Sequence, residues 1–103
     1  MTDPARTDDG QGPLRLRGVL RCASMAEVEI ARQHLPEHTR LTRAEPGCLS
    51  FNVSQTDDPL VFRVEETFAD KAAFQFHVQR SQASAWWQAT SGIAREFEVV
   101  GGE

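Results

Sequence analysis

Apolar and polar residues alternate with a period of two in four separate stretches of this 103-residue chain. Alternation of this kind is typical of β-strands that bury one face. The segment 56–59 between the second and third stretches is polar and of hairpin length, so these two strands are expected to pair as antiparallel neighbours. The predicted strands cover 14–22, 48–55, 60–68 and 93–100.

A long helix is predicted between the first two strands. Ser24 and Glu27 have the spacing of a capping box, in which each residue satisfies a free backbone N–H at the helix start. The helix is expected to run past Pro36 towards Ala44. The sequence Glu45-Pro46-Gly47 then ends it, because a residue before proline avoids the helical conformation.

The second half of the chain repeats the alternation of strand and helix. Asp70 is a good N-cap for a helix that begins at about Lys71, and 83–90 predicts a short additional helical piece. The resulting order is β-α-β-β-α-β. This order predicts an α+β, ferredoxin-like sandwich, with one four-stranded antiparallel sheet and helices on one of its faces.

The two faces of the predicted sheet differ in polarity. Residues of equal parity on paired strands share a face. The face expected beneath the helices is apolar and consists of Leu14, Leu16, Leu20, Leu49, Phe51, Val53, Leu60, Phe62, Val64, Phe68, Ile93, Phe97 and Val99.

The opposite face, called the outer face below, carries arginines and glutamates on neighbouring strands: Arg15, Arg17, Arg21, Arg63, Glu65, Glu96 and Glu98. Charges opposed in this way predict cross-strand ion pairs more than an anion-binding site. A polar sheet face can also meet the same face of a second subunit, so a homodimer is expected.

Three polar side chains interrupt the apolar layer. Parity places Glu66 and Arg95 beneath the helices, and His77 lies on the helix stripe that also carries Phe74 and Val78. Buried acids and bases are costly unless they satisfy one another, and such groups cluster where chemistry occurs. The alternative is structural: a buried ion pair of Glu66 and Arg95, with His77 as a hydrogen-bonded core residue.

Two adjacent tryptophans, Trp86 and Trp87, lie on the short helical piece. Neighbours on a helix point about 100° apart, so one can enter the core while the other borders an opening. Core packing is the default for one of the two. A flat wall for an aromatic ligand is the functional interpretation of the other.

Length and composition narrow the function further. The chain predicts a single domain over 14–103, preceded by a polar lead-in at 1–13 that is expected to be disordered. The net charge of -4 and the lack of a basic run argue against nucleic-acid binding. No stretch is apolar and long enough for a signal peptide or a membrane span, so a cytoplasmic protein without membrane insertion is expected.

The two cysteines, Cys22 and Cys48, form no metal-binding pattern. In a chain without a secretion signal they are interpreted as small buried thiols, with a disulfide left open as the alternative. Neither a metal site nor a resident cofactor is predicted.

Several motifs resemble the antibiotic biosynthesis monooxygenase (ABM) domain family. They are "EPGCLSFNV" from Glu45, "PLVFRVEETFADKAAFQFH" from Pro59 and "AREFEVV" from Ala94. The family's pattern of Phe-x-x-x-Glu-x-aromatic-x-Asp, with a histidine seven residues after the Asp, is met by Phe62, Glu66, Phe68, Asp70 and His77.

The resemblance implies a ferredoxin-like subunit that dimerises through its sheet into an α/β barrel, with a cavity between sheet and helices. Members of the family include cofactor-independent monooxygenases that oxidise quinols or anthrones with dioxygen, haem-degrading enzymes, and an isomerase of a phosphorylated signal. Haem degradation is disfavoured, because no histidine stands near Gln88 and Ala89, where that branch carries its iron ligand.

The favoured hypothesis is a cofactor-independent monooxygenase that oxidises a quinol, an anthrone or a similar small, electron-rich aromatic substrate with dioxygen. His77 is the candidate base, Glu66 would orient its ring, and Arg95 would stabilise a developing oxyanion. The alternatives are a dimeric binder of an aromatic metabolite or quinone, and an isomerase of a small phosphorylated ketone, for which no Gly-rich phosphate loop is found. The residues expected to shape the substrate pocket are Trp86, Trp87, Phe51, Phe62 and Phe74.

Overall fold

A computed structural model describes residues 12–102. All but Gly12 and Pro13 of the predicted disordered lead-in, 1–13, lie outside the described residues. The elements in chain order are β1 (Leu14–Arg21), α1 (Met25–Arg43), β2 (Cys48–Gln55), β3 (Val61–Phe68), α2 (Lys71–Gln82), α3 (Ala85–Thr90) and β4 (Ala94–Gly101).

The four strands form one antiparallel sheet in the order β2-β3-β1-β4. Each predicted strand and helix is present, and the α+β, ferredoxin-like architecture is confirmed. The helices pack mainly over β2, β3 and one another. Within 12–102 no helix is long and apolar enough to cross a membrane.

Local capping explains where the helices begin. The Ser24 side chain accepts a hydrogen bond from the backbone N–H of Glu27, and the Glu27 carboxylate accepts one from the backbone N–H of Ala23. Asp70 caps α2 by accepting from the backbone N–H of Ala73 at 2.9 Å. These bonds satisfy N–H groups that have no partner inside the helix.

The predicted apolar layer is confirmed over β1 and β3. On the two edge strands, β2 and β4, the prediction wrongly included exposed residues. Leu49 is 59% exposed because the pairing of β2 shifts register between Cys48 and Ser50. Phe97 and Val99 lie on the helix side of β4, yet they are 39% and 51% exposed. The helices do not extend over this edge strand, so parity alone misjudged the burial of these side chains.

The outer face carries the expected ion pairs between β1 and β4. Arg21 donates two hydrogen bonds to Glu96, at 3.0 and 3.1 Å, and Arg17 lies 3.5 Å from Glu98. A concave region of about 530 Å³ on this face includes Arg17, Glu96 and Glu98 in its lining. Dimerisation through this face stays a prediction.

The turn that follows α1 packs directly against α2. The backbone N–H of Ala69 donates to Gly47 O at 2.8 Å, and a Cβ at residue 47 would lie only 2.2 Å from the Cβ of Ala73. Gly47 is therefore required by close packing. This contact sets the position of α2 relative to Glu45.

Cys22 and Cys48 are both free thiols. Cys22 is buried as predicted, whereas Cys48 is only half-buried.

Gly47→Ala is expected to lower the free energy of unfolding by about 1–3 kcal/mol, since the added methyl group overpacks this contact. Urea unfolding followed by circular dichroism measures the change. Ala73→Gly in the same chain should recover part of the loss, less about 1 kcal/mol for a glycine inside a helix. An unchanged midpoint in the single variant would show that the contact relaxes freely.

Candidate active site

His77 occupies the buried face of α2, with only 6% of its surface exposed. Its Nδ1 lies 3.1 Å from Glu45 Oε2, and its Nε2 lies 3.6 Å from Glu66 Oε1. The ring also packs on Phe68, at 4.9 Å between centroids. Two carboxyl groups therefore face the two ring nitrogens from opposite sides.

Glu45 is held in place by more than the histidine. Its Oε2 also accepts a hydrogen bond from Arg80 Nε, and Arg80 Nη2 donates to Thr42 Oγ1 at 2.9 Å. Because Arg80 lies one helical turn after His77, both residues can reach the same carboxylate. A carboxylate fixed in this way makes Nδ1 the protonated nitrogen of His77 and leaves the Nε2 lone pair available.

Glu45 was missed as a functional residue at the sequence level, where Glu66 was expected to orient the ring. Glu66 lies beyond hydrogen-bond distance of Nε2, whereas Glu45 meets Nδ1. The available signal was the Glu-Pro-Gly motif, which was used to end a helix and to support the family resemblance, but not to assign a role to the Glu45 side chain. A turn has no periodicity from which the direction of its side chains could be predicted.

Glu66 lies on β3 between Leu16 of β1 and Phe51 of β2. Its Oε1 is buried and has no hydrogen-bond partner among residues 12–102. Burial, together with the nearby charge of Glu45, raises the pKa of Glu66 to about 7. Burial lowers the pKa of His77, and the hydrogen bond to Glu45 opposes part of that change.

His38 of α1 is a second buried histidine beside the first. Its ring stacks on Trp86 at 4.8 Å and lies 5.8 Å from the ring of His77. Burial, reinforced by the positive charges of His77, Arg80 and Arg95, lowers the pKa of His38 to about 3, so this ring is neutral at physiological pH. Sequence reasoning missed it, although Val28, Ala31, His38 and Thr42 share the buried side of α1.

A pocket of about 120 Å³ opens beside His77 and Glu66. Both residues belong to its lining. Trp87 and Phe74, two of the predicted pocket residues, form part of its wall. Leu16, Val78, Ser81 and Gln82 complete the lining.

Trp86, Phe51 and Phe62 were also expected in the pocket, but the structure places them in the core. Phe51 is 2% exposed and packs edge-on against His38 at 5.3 Å. Phe62 belongs to the core cluster that also contains Trp86. The two tryptophans thus divide as their 100° separation predicts, since Trp86 is buried and Trp87 borders the opening.

Arg95 does not join Glu66 and His77, contrary to the predicted convergence of three side chains. Its guanidinium donates to the carbonyl oxygens of Thr90 and Ile93 and to Thr90 Oγ1, at 2.8 to 3.1 Å. Its Cζ lies over the ring of Trp87, 5.0 Å from the centroid. Arg95 is therefore placed to hold Trp87 and the end of α3. The structural alternative, a buried Glu66–Arg95 ion pair, does not form either.

The described residues show no cluster of metal ligands. In the part of the chain that the structure describes, no group of three or more His, Cys, Asp or Glu side chains is arranged to hold a metal ion. The Nε2 of His77 faces the carboxyl of Glu66 at 3.6 Å. That the protein works without a haem stays a prediction.

The sequence model of one protein family, described as antibiotic biosynthesis monooxygenase, matches residues 25–89. This match covers more than half of the chain. It includes Glu45, Glu66 and His77, the three side chains brought together in the site. Comparison with curated protein sequences gave no match.

Solved structures share the fold along most of their length. A conserved protein from Methanosarcina mazei Go1 is similar over 91% of this chain and 96% of its own, with a TM-score of 0.76 and 14% identity. Rv0793 from Mycobacterium tuberculosis matches over 87% and 94%, with a TM-score of 0.70 and 16% identity. PA3566 from Pseudomonas aeruginosa matches over 86% and 92%, with a TM-score of 0.70 and 23% identity.

Proposed function

Because the chain belongs to the antibiotic biosynthesis monooxygenase family, we propose that it is a cofactor-independent monooxygenase that oxidises a single-ring quinol with dioxygen. One observation carries the proposal: the buried His77 is held through Nδ1 by Glu45, while its Nε2 faces a pocket that also contains Glu66. A histidine oriented in this way is suited to remove a proton from a substrate hydroxyl.

Deprotonation is the step in which such an enzyme needs its own side chains. An electron-rich phenolate can pass one electron to dioxygen directly, so the protein must generate and shield the anion. His77 Nε2 accepts the proton, and the Glu45 carboxylate stabilises the imidazolium that forms. The pocket lies against the buried core, where a low dielectric strengthens both interactions.

The volume of the pocket favours a substrate with one ring over a substrate with three fused rings. Its volume is about 120 Å³, and an apolar protein cavity of roughly 150 Å³ holds a benzene molecule. The pocket is of similar size and opens to solvent, so one ring can enter it, whereas the three fused rings of an anthrone would lie mostly outside. The proposed substrate is therefore a quinol with one ring rather than an anthrone.

The polar residues that line the pocket suit a substrate with two oxygens. They include His77, Glu66 and Ser81, and Ser81 follows His77 by one turn of α2. Four residues of helix rise about 6 Å, which is comparable to the separation of the oxygens in a para-dihydroxybenzene. One hydroxyl can therefore meet His77 while the other reaches Ser81.

Oxygen uptake with methylhydroquinone and with anthrone tests this function. We expect the protein to accelerate consumption with methylhydroquinone above the spontaneous rate and to leave the anthrone rate unchanged. Faster consumption with anthrone would contradict the assigned pocket. Saturable binding of methylhydroquinone without any oxygen uptake would instead favour a binding protein for quinols.

A further inference from the structure

Glu66 has an unusual environment for a carboxyl group beside a histidine. Its Oε1 is buried, has no hydrogen-bond partner among residues 12–102, and lies 3.6 Å from His77 Nε2. The same residue lines the pocket. Thus an unsatisfied oxygen stands where a bound substrate would meet the catalytic base.

The charged groups around Glu66 do not neutralise it. Glu45, in the turn between α1 and β2, adds a second acidic group, and the neighbouring cation Arg80 bonds to Glu45. Arg95 bonds to the end of α3, and His38 on α1 is neutral. Cys48 at the start of β2 is within electrostatic range, and its thiol has a raised pKa.

Near neutral pH, Glu66 is therefore suited to donate a proton and His77 to accept one. The pKa of Glu66 is raised to about 7, so its carboxylic acid form is well populated. The pKa of His77 is lowered by burial, so its Nε2 is free to accept. Two adjacent titratable groups with pKa values moved in opposite directions form an acid and a base.

We propose that Glu66 is the acid of the oxidation: it delivers a proton to the peroxide formed on the substrate and is then reprotonated by His77. This inference rests on the proposed function. It gives Glu66 a catalytic role distinct from orienting the histidine, which Glu45 performs. The unpartnered Oε1 and its 3.6 Å separation from Nε2 are the geometry that supports it.

The proton and electron balance closes without another reactant. His77 takes a proton from a quinol hydroxyl; the phenolate gives one electron to dioxygen, and the two radicals couple at a ring carbon that carries hydrogen. Glu66 protonates the distal oxygen of this peroxide anion, and the imidazolium of His77 returns a proton to the Glu66 carboxylate. Loss of water from the hydroperoxide leaves a carbonyl, so quinol and dioxygen yield hydroxyquinone and water.

The pH dependence follows from the two protonation states. Turnover requires neutral His77, so the rate rises with pH through the lowered pKa of that residue, below its usual value near 6.5. It also requires protonated Glu66, so the rate falls as pH increases through about 7. A bell-shaped profile with its alkaline limb near 7 is expected for the wild-type protein.

Glu66→Gln tests the assignment, because the amide keeps the size and hydrogen-bonding capacity of the side chain but cannot deliver a proton. Binding of 4-nitrophenol, followed by its absorption spectrum, should change little. The yield of hydroxyquinone per oxygen consumed should fall by about 10²-fold or more, with hydrogen peroxide released instead, and the alkaline limb should disappear. Glu65→Gln, an exposed neighbour on the other face of β3, serves as the matched control.

The outcomes separate this inference from the function on which it rests. If the wild-type protein consumes no oxygen with any quinol, the proposed function fails. If it does consume oxygen, but Glu66→Gln keeps both the yield and the pH profile of wild type, the role of Glu66 is wrong. A wild-type rate of hydroxyquinone formation that does not fall above pH 7 overturns it as well, whether or not the variant folds.

Discussion

His77→Ala is expected to lower oxygen consumption with a single-ring quinol by about 10²- to 10⁴-fold, the usual contribution of a positioned acid-base group. The change removes the only imidazole among the residues that line the described pocket. Initial rates measured with an oxygen electrode, after subtraction of spontaneous oxidation, give the effect.

Two comparisons distinguish a loss of catalysis in His77→Ala from a loss of folding. Gln79→Ala, an exposed position on the same helix, should retain the wild-type rate. Added imidazole should restore part of the activity of His77→Ala, because the small base can occupy the space left by the side chain. Wild-type turnover in His77→Ala would show that another group is the base.

Glu45→Ala is expected to lower the free energy of unfolding by about 3–5 kcal/mol, because it leaves buried partners without their carboxylate. His77 Nδ1 and Arg80 both donate to Glu45 Oε2. Urea unfolding at neutral pH measures the loss. We also expect turnover to fall, since the imidazole ring loses the group that sets its orientation and tautomer.

An exposed ion pair supplies the matched control. Glu37 and Arg40 form a short hydrogen-bonded pair on α1, but the two side chains are 61% and 66% exposed. Glu37→Ala should therefore change stability little, as solvent and salt screen such pairs. A double-mutant cycle of Glu45→Ala with Arg80→Ala should be strongly non-additive. Equal effects of Glu45→Ala and Glu37→Ala would contradict the buried network.

The proximity of Glu66 and His77 could be predicted because both positions follow regular periodicities. Alternation on β3 places Glu66 on the helix side, and the helical repeat of α2 directs His77 towards it. The same reasoning placed Arg95 on the correct side of the sheet. It could not show that Thr90, at the end of α3, lies close enough to take its hydrogen bonds.

Sequence periodicity also fails to predict burial where the strand pairing is irregular or where the layer of helices ends. The register shift at Leu49 arises inside a strand whose alternation looks continuous, and Phe97 alternates correctly on an edge that the helices leave uncovered. Pocket dimensions depend on packing between separate elements. Three of the five residues predicted to line the pocket, Trp86, Phe51 and Phe62, fill the core instead.

The sequence by itself determined the order of the elements, the caps of α1 and α2, and the side of the sheet to which most strand residues point. These features depend on short-range steric and hydrogen-bonding rules that act within a few residues. Only the tertiary structure decided that Glu45, rather than Glu66, holds the imidazole of His77. That pairing joins residues 32 positions apart, and it depends on the close contact of Gly47 with Ala73, which sets where the turn meets the helix.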